Sequence, residues 1–246
     1  MIFLCVSSSL YKIHIEDFLI HPKVPMESLE GLWEKFSLSE QESQKVDLVS
    51  TTTQPKSFLA AKFLTRRALN VESVAHTFKP LWRTDHGFTI RDMNDNKLVF
   101  VFEDEADRER VMLGEPWVYD KYLVILQRIE EEEAIEEVAF TKTSFWVQHH
   151  EIPIRRMNPE VATILGSSLG KIAHVTEGDK AAGGGQAMRI RVSLDLTKPL
   201  CKGRKATLEK GKEVWISFKY ERLPNFCYWC GLVSHSDKDC PHWLRN

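Results

Sequence analysis

The sequence predicts an α+β protein with a split β-α-β-β-α-β domain, a second small α+β unit and a C-terminal metal-binding segment. Three observations support this prediction. Patterns typical of strands and helices alternate in β-α-β-β-α-β order between residues 58 and 128, and a further series follows an acidic run. Three of the five cysteines then lie within fourteen residues near the C-terminus. The 246 residues offer room for one or two small domains of this kind.

The first 57 residues carry the weakest patterns. The apolar start at residues 1–6 has no basic residues and is short for a secretory signal. We expect residues 1–25 to be an unstructured extension upstream of a natural start at Met26. Residues 26–57 are expected to form a short amphipathic helix and a linker, and the apolar face of that helix is predicted at Leu29, Leu32, Trp33 and Phe36.

Residues 58–129 are predicted to form the first domain. Strands are expected at Phe58–Thr65, Phe88–Met93, Lys97–Glu103 and Tyr122–Arg128, and helices at Asn70–Trp82 and Asp104–Leu113. Asn70 is the expected cap of the first helix, with Val74, Phe78 and Leu81 facing inward. Residues 94–96 have hairpin-turn composition. The order of elements is that of a ferredoxin-like domain.

The third strand of this domain argues against base stacking on its sheet. RNA-recognition motifs, which share this order of elements, place aromatic side chains on the open sheet face. Here the alternation predicts that Phe100 and Phe102 pack under the helices, whereas Lys97, Val99 and Val101 face outward.

An acidic linker at 130–143 separates the two units. Six of the eight residues from Glu130 to Glu137 are Glu, which is typical of a solvated segment. Residues 144–222 are predicted to form the second α+β unit, packed on the first. Its strands are expected at Ser144–His150, Lys171–Thr176, Met188–Leu194, Lys198–Lys205 and Glu213–Tyr220, and its helix at Asn158–Leu169.

A metal site is predicted at the C-terminus. Cys227, Cys230, His235 and Cys240 have the spacing C-x2-C-x4-H-x4-C. Three thiolates and one imidazole suit a closed, tetrahedral Zn2+ site that leaves no coordination position for water. Gly231 fits the turn after the second cysteine. So short a segment cannot bury a core, so metal binding would supply most of its folding free energy.

The residues around this site resemble a known family. Tyr220-Glu221-Arg222-Leu223-Pro224-Asn225-Phe226-Cys227 followed by Cys230-Gly231 is similar to the "YE-x-LP-x-F-C-x-x-C-G" sequence in which plant DUF4283 proteins lead into a CCHC zinc knuckle. The resemblance places a knuckle at 223–246 and extends into the first domain through Gly114-Glu115-Pro116-Trp117. Knuckles commonly have Gly before the His. Here Ser234 stands there, and we expect its hydroxyl to cap the turn without loss of zinc binding.

The function predicted from these residues is zinc-dependent binding of single-stranded nucleic acid, RNA more than DNA, without enzymatic activity. The resemblance implies a role like that of the packaging protein of a plant LINE-type retrotransposon, or of a host protein derived from one. The predicted contacts are the aromatic side chains Tyr228, Trp229 and Trp243 and the basic residues Lys202, Arg204, Lys205, Lys238 and Arg245. The alternative is a protein-interaction adaptor that uses the knuckle to bind a partner and the ferredoxin-like domain to self-associate.

Composition and motifs agree with this interpretation. The net charge is −2, but residues 187–246 carry twelve Lys or Arg against six Asp or Glu, which favours a polyanionic partner. No apolar run approaches the roughly 18 residues of a membrane span, and the remaining cysteines, Cys5 and Cys201, indicate a reducing, intracellular location in nucleus or cytoplasm. No nucleophile elbow, phosphate loop or HExxH sequence occurs. The pair His149-His150 would point to opposite faces of a strand.

Overall fold

The computed structural model describes residues 57–129, 133–175 and 187–244, together with Cys5–Val6, Ser9–Leu10, Gln44 and Lys45. Within 1–25, where no fold is expected, Cys5–Val6 pairs antiparallel with Ser9–Leu10. The remainder of that segment and the predicted helix within 26–57 lie outside the described residues, so both stay predictions. In the described part of the chain, no helix is both long enough and apolar enough to cross a membrane.

The first unit has the predicted order of elements and one additional edge strand. Its elements are β1 (Ser57–Phe63), α1 (Val71–Trp82), β2 (Phe88–Asp92), β3 (Lys97–Phe102), α2 (Glu105–Leu113), β4 (Trp117–Tyr119) and β5 (Tyr122–Arg128). The antiparallel sheet has the strand order β2-β3-β1-β5-β4. Without β4 this is the ferredoxin-like order, because the first and third strands of the domain form the centre of the sheet. The predicted fold class is confirmed.

Helix α1 begins as predicted but packs differently at its end. The Asn70 side chain accepts a hydrogen bond from the Ser73 amide at 2.9 Å, which caps the first turn. Val74 and Phe78 are buried as expected, but Leu81 is 52% exposed and Trp82 is 3% exposed. The prediction that Leu81 faces inward is therefore wrong. Trp82 takes that place because its ring packs against an aromatic cluster supplied by the sheet, with centroids 4.7 Å from Phe100 and 5.0 Å from Phe88.

The helix-covered face of the first sheet confirms the predicted orientation of β3. Phe100 and Phe102 are fully buried in a core with Val74, Phe78 and Val111. Neither ring is available for base stacking.

The opposite face of this sheet is not open, and here the structure corrects two expectations. Val99 and Val101 point away from the helices as predicted, but they are 6% and 2% exposed because Ile135 and Val138 pack on them. The acidic segment is therefore not simply solvated: its described part, from residue 133 onward, covers the sheet with its apolar residues. A nucleic acid cannot reach this surface without displacing them.

The second unit repeats the strand order of the first. Its elements are β6 (Lys142–His150), α3 (Pro159–Ser167), β7 (Lys171–Val175), β8 (Ala187–Asp195), β9 (Gly203–Thr207) and β10 (Glu213–Tyr220). The sheet order is β9-β10-β6-β8-β7, all antiparallel. In both units an extra edge strand precedes the last strand and pairs with it. The second unit has no helix between its third strand β8 and that edge strand, where residues 196–202 form a loop.

One face of the second sheet is covered by α3. The Asn158 side chain caps this helix by accepting from the Val161 amide at 2.8 Å. A Cβ added at Gly166 would lie 2.6 Å from Ile190 Cδ1, so the helix approaches β8 closely there. Phe145, Val147 and Ile190 are fully buried on this face.

The two units share a packed seam. Leu123 and Ile125 of β5 belong to the same buried cluster as the core of the second unit. The side-chain amide of Gln127 donates to the Lys142 carbonyl oxygen at 3.0 Å, and the Arg222 guanidinium donates to the carbonyl oxygens of Gly114 and Glu115. The expectation that the second unit packs on the first is confirmed.

Glu115 is buried at this seam, 4% exposed. One carboxylate oxygen accepts from the Ser144 amide at 3.2 Å, while the other has no hydrogen-bond partner among the described residues. Burial raises the pKa of Glu115 to about 7, although the Ser144 hydrogen bonds and the nearby charge of Arg191 act in the other direction. The protonated form is therefore the one that the fold favours.

We expect this carboxyl to make the fold less stable as pH rises. Because its folded pKa lies above the unfolded value of about 4.5, its stabilising effect is complete below that value and is lost as pH rises through about 7. Glu115→Gln cannot ionise. The difference in unfolding free energy between the variant and wild type should therefore increase by about 2 kcal/mol, in favour of the variant, from pH 5 to pH 8. Urea unfolding of both proteins at the two pH values measures this. A constant difference would contradict it.

Candidate metal centre and nucleic-acid interface

The loop that holds the first two cysteines is closed by backbone hydrogen bonds. The Gly231 amide donates to the Cys227 carbonyl oxygen and the Cys227 amide to that of Leu232, both at 2.8 Å. Gly231 has φ +78°, a left-handed conformation that a residue with a Cβ adopts only with strain. The Asp237 carboxylate accepts from the Tyr228 amide at 2.6 Å and fixes the loop from outside. Asp237 was not among the predicted site residues, although an acidic residue between the last two ligands was visible in the sequence.

The four predicted ligands converge. The Sγ atoms of Cys227, Cys230 and Cys240 and a ring nitrogen of His235 all lie within 4.8 Å of one another. His235 Nε2 is 3.3 Å from Cys230 Sγ, and Nδ1 is 3.0 Å from the Ser234 hydroxyl. The Ser234 hydroxyl therefore orients the imidazole, an outer-shell contact of the kind that metal-binding histidines make.

This cluster fits a tetrahedral metal ion. Sulfur atoms bound to one zinc at about 2.3 Å lie about 3.8 Å apart, which the 4.8 Å limit accommodates. Cys227 and Cys240 are fully buried. Burial raises the pKa of the Cys227 thiol to about 11, whereas the pKa of the Cys240 thiol falls to about 6 because its burial is outweighed by hydrogen bonds, with His235 foremost. Cys227 therefore stays protonated near neutral pH unless a cation replaces the proton.

A second group of possible ligands has a structural explanation. His86, Asp104 and Asp107 also lie close together. The Asp107 carboxylate is fully buried and accepts from the backbone amides of Asp85 and His86, both at 3.0 Å, with Arg110 at 3.2 Å. The carboxylate oxygens of Asp107 are therefore engaged in hydrogen bonds that stabilise the turn between α1 and β2.

His149 and His150 point to opposite faces of β6, as the strand alternation predicts. His149 is fully buried against Phe218, with ring centroids 4.9 Å apart, and burial lowers its pKa to about 4. His150 points to the other face of β6, where its Nε2 lies 3.1 Å from Gln148 Oε1. The two rings cannot act on one ligand.

The metal-binding segment is docked on the second unit. Val233 is 3% exposed in the core of that unit, and the Leu200 amide donates to the Gly231 carbonyl oxygen at 2.8 Å. A Cβ added at Gly231 would lie 3.0 Å from Pro199 Cβ. Asp239 also forms an exposed ion pair with Arg66 of the first unit at 3.2 Å. These contacts fix the position of the metal-binding segment on the second unit.

All three predicted stacking residues are exposed. Tyr228, Trp229 and Trp243 are 71%, 54% and 53% exposed. The rings of Trp229 and Trp243 meet edge to face with centroids 5.1 Å apart, and Tyr228 lies against Phe226 at 4.3 Å. The first loop and the chain after the last ligand thus bring two indoles together, a contact that the spacing of these residues does not predict.

The predicted basic residues fall into two groups. Lys238 lines a cleft of about 880 Å³ with Tyr228, Lys121 and Arg222, between the metal-binding segment and the edge of the first sheet. Arg204 lies elsewhere and donates to the Ser168 carbonyl oxygen at 2.8 Å. Lys205 pairs with Glu213 at 3.2 Å, Lys202 is exposed and Arg245 lies outside the described residues.

Arg204 contributes to a second basic cleft that sequence reasoning missed. This cleft, of about 430 Å³, is also lined by Lys142, Lys171 and Lys198, and Asp195 is the acidic residue among the described residues that line it. Lys198 and Asp195 form an ion pair at 3.1 Å. Pro199 and Leu200, which contact Gly231, form part of its wall. The basic side chains come from separate strands and loops, so no local sequence pattern identifies them as a group.

Comparisons with known proteins agree with the two segments recognised in the sequence. Residues 52–137 match the family model described as a domain of unknown function, DUF4283, and residues 194–242 match the model described as a zinc knuckle. An uncharacterized protein of Arabidopsis thaliana is 29% identical over 132 residues, which is 54% of this chain and 41% of the relative. The match thus spans less than half of the relative's length.

Two solved structures also resemble parts of this chain. RNA recognition domains 1 and 2 of Drosophila melanogaster Sex-lethal are 15% identical, with 55% of this chain and 85% of that chain covered and a TM-score of 0.24. The first two RRM domains of yeast poly(U) binding protein are 11% identical, with coverages of 67% and 98% and a TM-score of 0.23. The fold described above rests on the strand order of this chain alone.

Proposed function

We propose that this protein binds single-stranded nucleic acid through a zinc-dependent knuckle and has no enzymatic activity. The observation that carries the proposal is the placement of the exposed Trp229–Trp243 pair directly on the loops that hold the four ligands. Unpaired bases stack on exposed aromatic rings with about 1–3 kcal/mol per base, and this stacking tolerates any sequence. The match of residues 194–242 to a zinc knuckle model supports the same function.

The metal in this proposal is Zn2+ with a structural role. The donors are three cysteine sulfurs and one histidine nitrogen, a set that zinc prefers. Zinc would hold the two loops together and so keep Trp229 and Trp243 on one surface. Four protein ligands fill a tetrahedron, which argues against a catalytic metal.

RNA is the proposed ligand in preference to DNA, and the proposed origin is a plant LINE-type retroelement or a host gene derived from one. The order of a DUF4283 segment followed by a zinc knuckle supports this origin, as does the relative from a plant. A role in packaging the transcript of such an element, which the resemblance implies, would make single-stranded RNA the ligand.

The alternative function, a protein-interaction adaptor, has one observation in its favour. Leu244 is 70% exposed next to Trp243, so an apolar surface extends beyond the aromatic pair. Such a surface also suits a protein partner or a second copy of this chain. Binding to no oligonucleotide would favour this function.

Two sets of substitutions test the nucleic-acid proposal. Trp229→Ala should weaken binding of a single-stranded RNA about tenfold with little change in salt dependence, because it removes stacking and no charge. Lys202→Ala combined with Arg204→Ala should instead flatten the plot of log affinity against log salt by about 0.7 per lost phosphate contact. Fluorescence anisotropy at several salt concentrations measures both.

Matched controls lie in the first unit. Leu113→Ala removes a side chain that is 71% exposed, and Lys79→Ala removes an exposed charge from α1. Both should bind like wild type. If the double variant keeps the wild-type slope, the basic residues of β9 and the preceding loop do not contact phosphates. If Trp229→Ala binds like wild type, the knuckle is not the stacking site.

A further inference from the structure

The second sheet has one face that no helix of the described residues covers. Side chains of β6, β8 and β10 that point toward α3 form the core, and the intervening residues point the other way. On β6 these are Trp146, Gln148 and His150. The strand pairing places Lys219 opposite Gln148, and Gln148 opposite Arg189.

Two tryptophans mark the ends of this face. Trp215 of β10 is 51% exposed, and its indole lies over the backbone of the edge strand, where a Cβ added at Gly203 would be 2.5 Å from the ring. Trp146 lies on the central strand β6, and its carbonyl oxygen accepts from the Glu221 amide at 2.9 Å. Since Trp215 and Glu221 are six residues apart, the backbone positions of the two tryptophans are separated by roughly 20 Å along the strands. Several nucleotides fit in that length.

Trp146 is part of a fixed cationic stack. The guanidinium carbon of Arg189 lies 4.0 Å from the centre of its ring. Glu221 holds that guanidinium by two hydrogen bonds of 2.8 and 2.7 Å, and Gln148 donates to the same carboxylate at 2.9 Å. Glu221 belongs to the Tyr220-Glu221 pair that leads into the knuckle. This glutamate therefore connects the sheet face to the chain that carries the metal site.

The remaining surface between the tryptophans is polar and partly cationic. Lys219 is exposed, and His150 and Ser217 are half-buried beside it. At the far end Arg191 is covered by the first unit, with its guanidinium 3.4 Å from the Met112 carbonyl oxygen. At the Trp146 end the ring is half-buried, with His174 of β7 edge to face against it at 5.9 Å, whereas Lys219 and Trp215 toward the other end are exposed. The corresponding face of the first sheet is closed by Ile135 and Val138.

We infer that this face, defined by Trp146, Gln148, Arg189, Trp215 and Lys219 and called the Trp platform, is a second binding surface for single-stranded nucleic acid. Bases stack on aromatic rings and on arginine guanidinium groups, and Lys219 supplies a charge for a phosphate. The inference rests on the proposed function, because one strand would contact both the knuckle and the platform. The two surfaces together would extend the binding site well beyond the few bases that a knuckle holds.

Binding of fluorescein-labelled oligouridine, measured by anisotropy, tests the platform. Trp215→Ala should weaken binding about tenfold. Lys219→Glu reverses an exposed charge and should weaken binding several-fold while flattening the salt dependence. Ile164→Ala is the matched control, because this side chain is 63% exposed in the same unit but on α3, behind the sheet. It should bind like wild type.

Thermal unfolding of each variant separates binding from stability. Should Trp215→Ala fail to fold, Lys219→Glu still decides the question, since its side chain is exposed. In addition, oligouridine containing 4-thiouridine should crosslink to peptides of β6 or β10 and not to α3. If Trp229→Ala binds oligouridine more weakly than wild type but Trp215→Ala and Lys219→Glu bind it with wild-type affinity, the inference of a second surface is overturned and the knuckle function stands. If wild type binds no oligouridine, both are wrong.

Discussion

Purified protein is expected to contain one zinc per chain and to lose it, together with the structure of the knuckle, when Cys240 is replaced by Ser. The apolar side chains Leu223, Phe226 and Val233 of this segment pack into the core of the second unit, and few backbone hydrogen bonds hold its loops. Apparent binding free energies of about 10–16 kcal/mol for structural zinc in such small segments far exceed what those contacts supply. Loss of one ligand should therefore abolish the ordered loops.

The matched control is Cys201→Ser. Cys201 is a free, half-buried cysteine whose thiol lies 3.3 Å from the Gly203 carbonyl oxygen, outside the ligand cluster. This variant should keep one equivalent of zinc. Elemental analysis gives the metal content, and amide hydrogen exchange shows which segment loses protection. A zinc content well below one equivalent in wild type, unchanged in Cys240→Ser, would contradict the assignment of the site.

The second large effect is expected for two adjacent residues at the end of α1. Trp82→Ala should lower the unfolding free energy by about 3–5 kcal/mol, because the side chain is 3% exposed and contacts five aromatic rings. Leu81→Ala removes a side chain that is 52% exposed and should change stability by no more than about 0.5 kcal/mol. Urea unfolding of the three proteins provides the comparison.

This pair distinguishes the observed packing from the packing that the sequence predicts. If Leu81 faced the core instead, Leu81→Ala would lower the unfolding free energy by about 2–5 kcal/mol. Trp82→Ala would then lower it by considerably less than about 3–5 kcal/mol. An equal decrease in unfolding free energy for the two variants would also contradict the structure, because Trp82 is buried against the sheet and Leu81 is exposed.

The same helix shows where sequence reasoning reaches its limit. Val74 and Phe78 define an inward face, but both 81 and 82 fall near its edge, one turn beyond Phe78. The choice between them is made by contacts with Phe100 and Trp117, which lie 18 and 35 residues further along the chain than Trp82, and with Phe88 of the edge strand. No local pattern contains that information.

Elements with a strong one-sided pattern were predicted well. The orientation of Phe100 and Phe102 follows from strand alternation, and the convergence of the four ligands follows from their spacing. Ile135 was not predicted to be buried, because one apolar residue among six glutamates gives no periodicity. Its burial depends on an uncovered sheet face that only the assembled domain provides.

The platform residues illustrate the same limit for function. Trp146, Arg189 and Glu221 are far apart in sequence and meet only through the pairing of β6 with β8 and of β10 with β6. The knuckle could be predicted because its ligands are local. Surfaces assembled across strands, including the basic cleft around Lys142 and Lys171, could not.

The most direct measurement of the central claim is the affinity of the zinc-loaded protein for single-stranded RNA compared with that of Cys240→Ser, at low and at moderate salt. We expect the zinc-loaded protein to bind, to lose affinity steeply as salt rises, and to bind matched duplex RNA more weakly because its bases are already stacked. Cys240→Ser should bind at least tenfold more weakly at either salt concentration. Equal binding by the two proteins, or no binding of RNA by the zinc-loaded protein at low salt, would contradict a zinc-dependent nucleic-acid-binding function.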